Sequence, residues 1–325
     1  MNSFRKLAAL SATFALAMVS ASALAQAPSY PNRPVVLLLP YAAGGAVDVL
    51  ARQLGNKLSK TWGQPVVPEN RPGANGLIAT QALIKAQPDG YTLMLHLTGM
   101  IQNPLLLKGA TYDPLKDVTP VVQLGTQGMA LSVPGKSPIK SMDQLVAEGK
   151  SKPGGPAFGS IGIGQTGHIW SELLLSERNL KGTHVAYKGA SPMLVDLLND
   201  RLDWAFLGPL DAVTRSADHS VRVLAVTGPA RIKQIDAPTM RELGFPGFEL
   251  TGWYGVFAPP NMPKELLAKI ERDVKDALAD PEMQKILDTN VITRTGLGSD
   301  EFAKVMKNDQ PRWQALVTKF NIKPE

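Results

Sequence analysis

The chain has 325 residues, 34 basic against 28 acidic side chains for a formal net charge of +6, 44% apolar and 6% aromatic residues, and no cysteine. Without Cys there is no disulfide, iron–sulfur cluster, thiolate zinc site, thiol nucleophile or lipidated cysteine. The apolar content fills a core and excludes wholesale disorder, while dispersed basic residues and few aromatics leave no footprint for nucleic acid.

Arg5 and Lys6 precede an apolar, alanine-rich run from Leu7 to Leu24 that ends in Ala23-Leu24-Ala25, with a second small-x-small pattern at Ala25-Gln26-Ala27. This pattern reads as a secretory signal peptide over residues 1–25. Cleavage is expected after Ala25, because a cut after Ala27 would place Pro28 immediately beyond the bond. No later segment is long and apolar enough to span a bilayer.

From Pro31 onward short apolar runs alternate with helical periodicity, the signature of an α/β fold with a largely parallel sheet. Val35–Leu39 reads as a strand covered on both faces. A Gly-Gly turn then leads to apolar positions Val47, Leu50, Ala51, Leu54 and Leu58 at helical spacing. Further strands are expected at Tyr91–Leu95, Val118–Leu124, Ala130–Val133, Thr183–Tyr187, Trp204–Leu207, Val221–Val226 and Tyr254–Ala258. Helices are expected around Ile169–Leu175, Met193–Leu198 and Leu266–Leu278, the last opening with Pro263. Ser299, followed by Asp300 and Glu301, reads as the N-cap of a final helix that should kink or break near Pro311.

Two glycine-rich turns lie between strand and helix patterns: Tyr41-Ala42-Ala43-Gly44-Gly45, with Asp48 in the following first turn, and Ser160-Ile161-Gly162-Ile163-Gly164-Gln165-Thr166-Gly167-His168. Glycines let the backbone approach a ligand, and the free amides of the next helix favour an anion without Arg or Lys. The second turn also matches the dinucleotide fingerprint at Gly162, Gly164 and Gly167. The next strand ends in Tyr187 and Lys188 instead of the acid that holds a ribose, so no nucleotide cofactor is expected. Phe158 replaces the first glycine of a G-x-S-x-G elbow around Ser160, which weakens a Ser160/His168 hydrolase. His96, His168, His184 and His219 show neither i, i+4 pairing nor a carboxylate at ligand spacing, so no metal is expected. Asp48 reads first as a stabiliser of its helix terminus.

The chain resembles periplasmic substrate-binding proteins of the tripartite tricarboxylate transporter family, the Bordetella uptake gene group. The markers run along nearly the whole sequence beyond the signal peptide: Tyr30-Pro31-x-Arg33-Pro34, Pro40-Tyr41-Ala42-Ala43-Gly44-Gly45-x-x-Asp48, Glu69-Asn70-Arg71-Pro72-Gly73-Ala74 and Pro88-Asp89-Gly90-Tyr91. They continue with Asn103-Pro104, Tyr112-Asp113-Pro114, Tyr187-Lys188-Gly189, Leu224-Ala225-Val226-Thr227, Gly252-Trp253-Tyr254-Gly255 and Ala279-Asp280-Pro281-Glu282.

The resemblance implies a two-lobed periplasmic binding protein fold of type II-like form, two Rossmann-like α/β domains joined by two crossing strands near Val121–Leu124 and Phe248–Tyr254. Lobe 1 would comprise residues 26–123 and 253–325, and lobe 2 residues 124–252. It implies a non-enzymatic, monomeric receptor that closes on a small organic carboxylate and delivers it to a membrane permease of one large and one small subunit. The matching ligand positions are Tyr41, Ala42, Ala43, Gly44, Gly45, Asp48 and Thr98 on one side. On the other they are Ser160, Gly162, Gly164, Gln165, Thr166, Gly167, His168, Tyr187, Lys188 and Leu207. Family members that take amino acids tend to carry Asp where Leu207 stands, so the expected ligand lacks an α-amino group. Met100 is expected as an adaptable apolar wall, suiting a longer or aromatic acid. The alternatives are an exported hydrolase using Ser160 and His168, or a ligand sensor docking on a membrane kinase.

Overall fold

The computed structural model describes residues 30–322, and the expected signal peptide lies outside the described residues. In chain order the first elements are β1 (Val35–Leu39), α1 (Ala46–Trp62), β2 (Val66–Asn70), a 3₁₀ turn (Ala74–Gly76), α2 (Leu77–Ile84), β3 (Thr92–Leu97), α3 (Gly99–Leu106) and β4 (Thr119–Gln127). Next come β5 (Ala130–Pro134), α4 (Met142–Ser151), β6 (Ala157–Ser160), α5 (Thr166–Glu177), β7 (Thr183–Ala186), α6 (Ala190–Leu198), β8 (Trp204–Leu207), α7 (Pro209–Ala217) and β9 (Val221–Val226). The chain ends with β10 (Gly252–Ala258), α8 (Lys264–Ala279), α9 (Pro281–Thr289), β11 (Thr293–Leu297) and α10 (Ser299–Lys319).

These elements build two sheets, β11-β4-β10-β3-β1-β2 and β7-β6-β8-β5-β9. The chain leaves the first sheet after Gln127, joins the second at Ala130, and returns between Val226 and Gly252. Val121–Leu124 lies within β4, so the outward crossing falls a few residues later than the sequence suggested. The βα units give parallel pairs such as β1/β2, β1/β3, β6/β7 and β6/β8. The strands at the changeover run the other way: β10 is antiparallel to β3 and β4, and β5 to β8 and β9. Each sheet is therefore mixed, a correction to the largely parallel expectation.

Strand pleating divides the first core. Val35, Leu37 and Leu39 of β1 face Leu50, Leu54 and Leu58 of α1, while Leu38 faces the opposite layer. That opposite layer continues without a break into the second sheet, because α10 packs on both. Phe302 contacts Trp253 and Phe257, with ring centroids at 5.0 and 5.4 Å, and Trp313 lies 5.3 Å from Trp170 of α5. This packing explains why α10 runs through Pro311 without ending there: tertiary contacts before and after the proline, at Met306 and Trp313, hold both halves. Its N-cap is the extended Gly298, and the Ser299 hydroxyl instead donates to Pro120 O at 2.7 Å. Pro263 likewise sits at the N-cap of α8, ahead of the first helical residue.

Candidate functional site

A cavity of about 250 Å³ lies where the sheets meet. The first-sheet side supplies Tyr41 from the β1–α1 turn, Asn75 from the 3₁₀ turn, and Leu97, Thr98, Gly99 and Gln102 from the β3–α3 junction. The changeover strands supply Gln127, Gly252, Trp253 and Tyr254, and the β6–α5 turn adds Ile161, Gln165 and Thr166. Among these residues there is no Asp, Glu, Lys, Arg or His.

The wall is braced by its own polar groups. The Trp253 amide donates to Thr98 Oγ1 at 2.8 Å, tying β10 to the start of α3. The Tyr254 hydroxyl donates to Gln127 Oε1 at 2.9 Å, and Gln127 Nε2 donates to Asn290 O at 2.9 Å. Burial pushes the Tyr254 phenol up to about 12 and raises that of Tyr41, so both stay protonated donors at neutral pH. Gln102 Nε2 is buried with no protein acceptor. Two helix N-termini converge here, that of α3 at Thr98–Gly99 and that of α5 at Gln165–Thr166. Neither carries a side-chain cap, so first-turn amides remain to meet an acceptor.

The two glycine-rich turns contribute unequally. Ala42, Ala43, Gly44 and Gly45 are exposed, and only Tyr41 of that turn lines the cavity. The Gly44 amide is already engaged, donating to Asp48 Oδ2 at 3.0 Å. Asp48 also accepts from Arg52 Nε at 2.8 Å and Asn70 Nδ2 at 3.0 Å. Those bonds, Arg52 first, hold its carboxyl down at about 2. Asp48 is thus a buried anchor of the turn, as its position in the first helical turn suggested, and does not line the cavity.

In the second turn Ile161, Gln165 and Thr166 line the cavity. Ser160, Gly162, Gly164, Gly167 and His168 shape the backbone behind them. Ser160 is almost fully buried and its Oγ lies 2.7 Å from His184 Nε2. His168 instead accepts from the Gly164 amide at 2.9 Å through Nδ1, so the Ser160/His168 pair that the alternative hydrolase reading requires does not form. Contrary to the reading that no carboxylate stands at such spacing, His168 has Glu172, one turn along α5, at 3.6 Å. Among the described residues no group of three potential ligands is placed to hold a metal ion.

The remaining candidates fall elsewhere. The Tyr187 hydroxyl donates to Asp196 at 2.7 Å and Lys188 is exposed, both away from the cavity lining. Leu207 and Met100 are fully buried in separate apolar clusters, where strand and helix periodicity place core side chains. Sequence reading missed Asn75, Leu97, Gly99, Gln102, Gln127, Ile161, Gly252, Trp253 and Tyr254 as lining residues. The run Gly252-Trp253-Tyr254 was visible as a marker, and its place at a crossing strand was the available signal.

Two α/β units with a cavity at their junction, between which the chain passes twice, define a two-lobed binding protein, the fold shared by periplasmic binding proteins of known structure. Residues 50–322 match the family described as the tripartite tricarboxylate transporter family receptor, and the chain belongs to that family. A protein of the tcbD–tcbE intergenic region of Pseudomonas sp. strain P51 is 34% identical over 96% of this chain and 94% of its own. The solved Rpa4515 of R. palustris with adipate is 30% identical, covers 91% of this chain and 100% of its own, and superposes with a TM-score of 0.79. MatC of Rhodopseudomonas palustris with bound malate is 28% identical, covers 89% and 100%, and gives 0.73. The family is described as a receptor, and the similar solved structures BugD, a periplasmic binding protein, and a TctC solute-binding protein from Polaromonas are binding proteins, not enzymes. Among the described residues no helix is long and apolar enough to cross a membrane.

Proposed function

We propose that the protein is a periplasmic receptor that captures a small organic carboxylate lacking an α-amino group and hands it to a membrane permease of one large and one small subunit. The observation that carries this reading is the lining: neutral donors and two uncapped helix N-termini, with no acidic side chain. A carboxylate gains hydrogen bonds to amides and the favourable end of two helix dipoles. An ammonium group entering the same cavity loses its water with no anionic partner, which costs several kcal/mol. The adipate and malate held by the two neighbours are acids of the same kind.

The proposed lobes follow the sheets, residues 30–127 with 252–322 and residues 130–251. Contacts from both sides form together only when the lobes close, so ligand shifts the population toward the closed form that the permease reads. A thermal-shift screen of mono-, di- and tricarboxylates tests the reading, since ligand at 100 times its Kd adds about 2.7 kcal/mol of stability. Succinate and glutarate should stabilise more than aspartate and glutamate. The reverse order would remove the ammonium argument, and no shift with any acid would remove the carboxylate assignment. Fractionation of cells expressing the full chain, followed by intact-mass measurement, tests export and the cut after Ala25.

A further inference from the structure

Behind the β6–α5 turn lies a stack of four rings. Trp204 and Phe158 are 5.9 Å apart, Phe158 and His184 5.1 Å, and His184 and His168 3.8 Å with 9° between their planes. The two imidazoles reach opposite ends of the same short backbone segment. His168 Nδ1 accepts from the Gly164 amide at 2.9 Å. At the other end Ser160 Oγ donates its single proton to Gly162 O at 2.8 Å, so its 2.7 Å contact with His184 is made by an Nε2–H that donates to the hydroxyl. This bookkeeping assigns His184 as the Nε2–H tautomer and leaves His168 Nδ1 bare.

Gly162 and Gly164 sit at φ +146° and +73°, conformations open to glycine, whose freedom in the unfolded chain makes the ordering of this segment costly. The residues on either side, Ile161, Gln165 and Thr166, form the second-sheet wall of the cavity.

We propose that His184, stacked on His168, is a positioning residue for ligand capture: the pair fixes the 160–164 backbone so that the α5 amides meet the ligand in a preformed geometry. The effect on affinity rests on the carboxylate-receptor reading; the effect on the turn does not. The ionisable groups facing the pair are the two rings themselves and Glu172 on α5. Burial, reinforced by the neighbouring imidazole, pushes His184 down to about 4. A charge on the His184 ring is disfavoured inside the stack. Acid therefore favours opening of the turn that the ring braces.

The test uses the full chain without its signal peptide, in wild-type, His184→Ala and His184→Gln forms. Hydrogen exchange of the 159–168 segment is followed without ligand, and affinity for adipate, malate and benzoate is measured by calorimetry from pH 8 to pH 4. The expected result is exchange at least tenfold faster in His184→Ala, substantial recovery in His184→Gln, whose amide can still donate to Ser160, and affinity tracking the turn. Wild-type affinity, after correction for protonation of the acids themselves, should hold from pH 8 to 6 and fall at least tenfold by pH 4. Wild-type-like exchange in His184→Ala would overturn the proposal, as would identical loss in both variants. If none of the acids binds wild type, the carboxylate reading fails while the exchange measurement still decides the role of the pair. Should His184→Ala not fold, the wild-type pH dependence of exchange in the segment decides it: protection unchanged from pH 7 to 4, after correction for intrinsic rates, overturns the proposal.

Discussion

The β1–α1 and β6–α5 turns look alike in sequence, each a glycine-rich passage from strand to helix, yet they are held by different chemistry. The first is open: an added Cβ at Gly44 or Gly45 would meet nothing within 4 Å, and the loop is tied down from one side by the Asp48 carboxylate with Arg52 and Asn70. The second is enclosed: a Cβ at Gly164 would lie 2.6 Å from Leu106 of α3, and two stacked imidazoles hold its backbone from behind. An ionic anchor tolerates exposure because its partners remain paired in water. An imidazole anchor requires a shielded stack in which His184 stays neutral. The first turn is thus a rim and the second a wall.

The sharpest way to break this contrast is to give each turn a methyl group. Gly164→Ala combines a left-handed backbone penalty with overpacking against buried Leu106, and should cost about 2–4 kcal/mol. Gly44→Ala, at φ +88° in open space, should cost only about 1 kcal/mol. Urea denaturation of both variants measures the gap, and equal costs would mean that the second turn is not packed as described. Asp48→Ala comes next. It leaves the Gly44 amide without an acceptor and removes one from Asn70, so a loss of about 2–3 kcal/mol is expected by the same measurement. A loss under about 0.5 kcal/mol would show that the ionic anchor is dispensable.

Much of the architecture was legible because it depends on local periodicity. Val35–Leu39 reads as a covered strand and Trp204–Leu207 as a further strand, and both occur with those bounds. Sheet direction was not legible: β10 enters antiparallel between β3 and β4 because of where the chain returns, which no local pattern encodes. The two turns could be found from their glycines, but which amides stay free depends on long-range partners. Asn70 reaches Asp48 across 22 positions, and His184 reaches Ser160 across 24. Leu207 and Met100 were read as lining from their place in a family pattern, whereas their burial follows from which face of strand or helix meets the core. Gln127 and Gln102 carried no motif at all. They reach the cavity because a strand end and a helix face bring them there.

Acid should separate the anchors. With His184 near 4 when folded and about 6.5 when unfolded, the unfolded state binds more protons between those values, so this group's stabilisation is lost as pH falls from 6.5 toward 4. Asp48, near 2 when folded against 3.8 in its ordinary state, loses its contribution only as pH falls from 3.8 toward 2. Asp309 on α10 works in the opposite sense: burial lifts it to about 6, so folding favours its protonated form as pH falls from 6 toward 4. Global stability therefore mixes opposing slopes over that interval. Exchange read separately at segments 41–48 and 159–168 resolves them, and the second should lose protection at least one pH unit above the first. Simultaneous opening would mean that the two turns share one anchor.

The smallest effect concerns what the wall touches. Ile161 is 44% exposed yet lines the cavity, opposite the first-sheet contributions of Leu97 and Trp253. Losing an apolar contact of about 40 Å² on changing Ile161→Ser removes about 1 kcal/mol at 25 cal/mol per Å², a roughly fivefold weakening. On the carboxylate-receptor proposal, that loss should fall on adipate, whose body is a methylene chain, while malate, with a hydroxyl on a shorter chain, should change by about twofold or less. Ala43→Ser adds a hydroxyl at an exposed residue of the first turn that does not line the cavity, and should leave both affinities within about twofold. Calorimetry on the two variants separates the roles. A matched loss for both acids in Ile161→Ser would assign that side chain to shaping the turn, and a comparable loss in Ala43→Ser would make the rim a second wall.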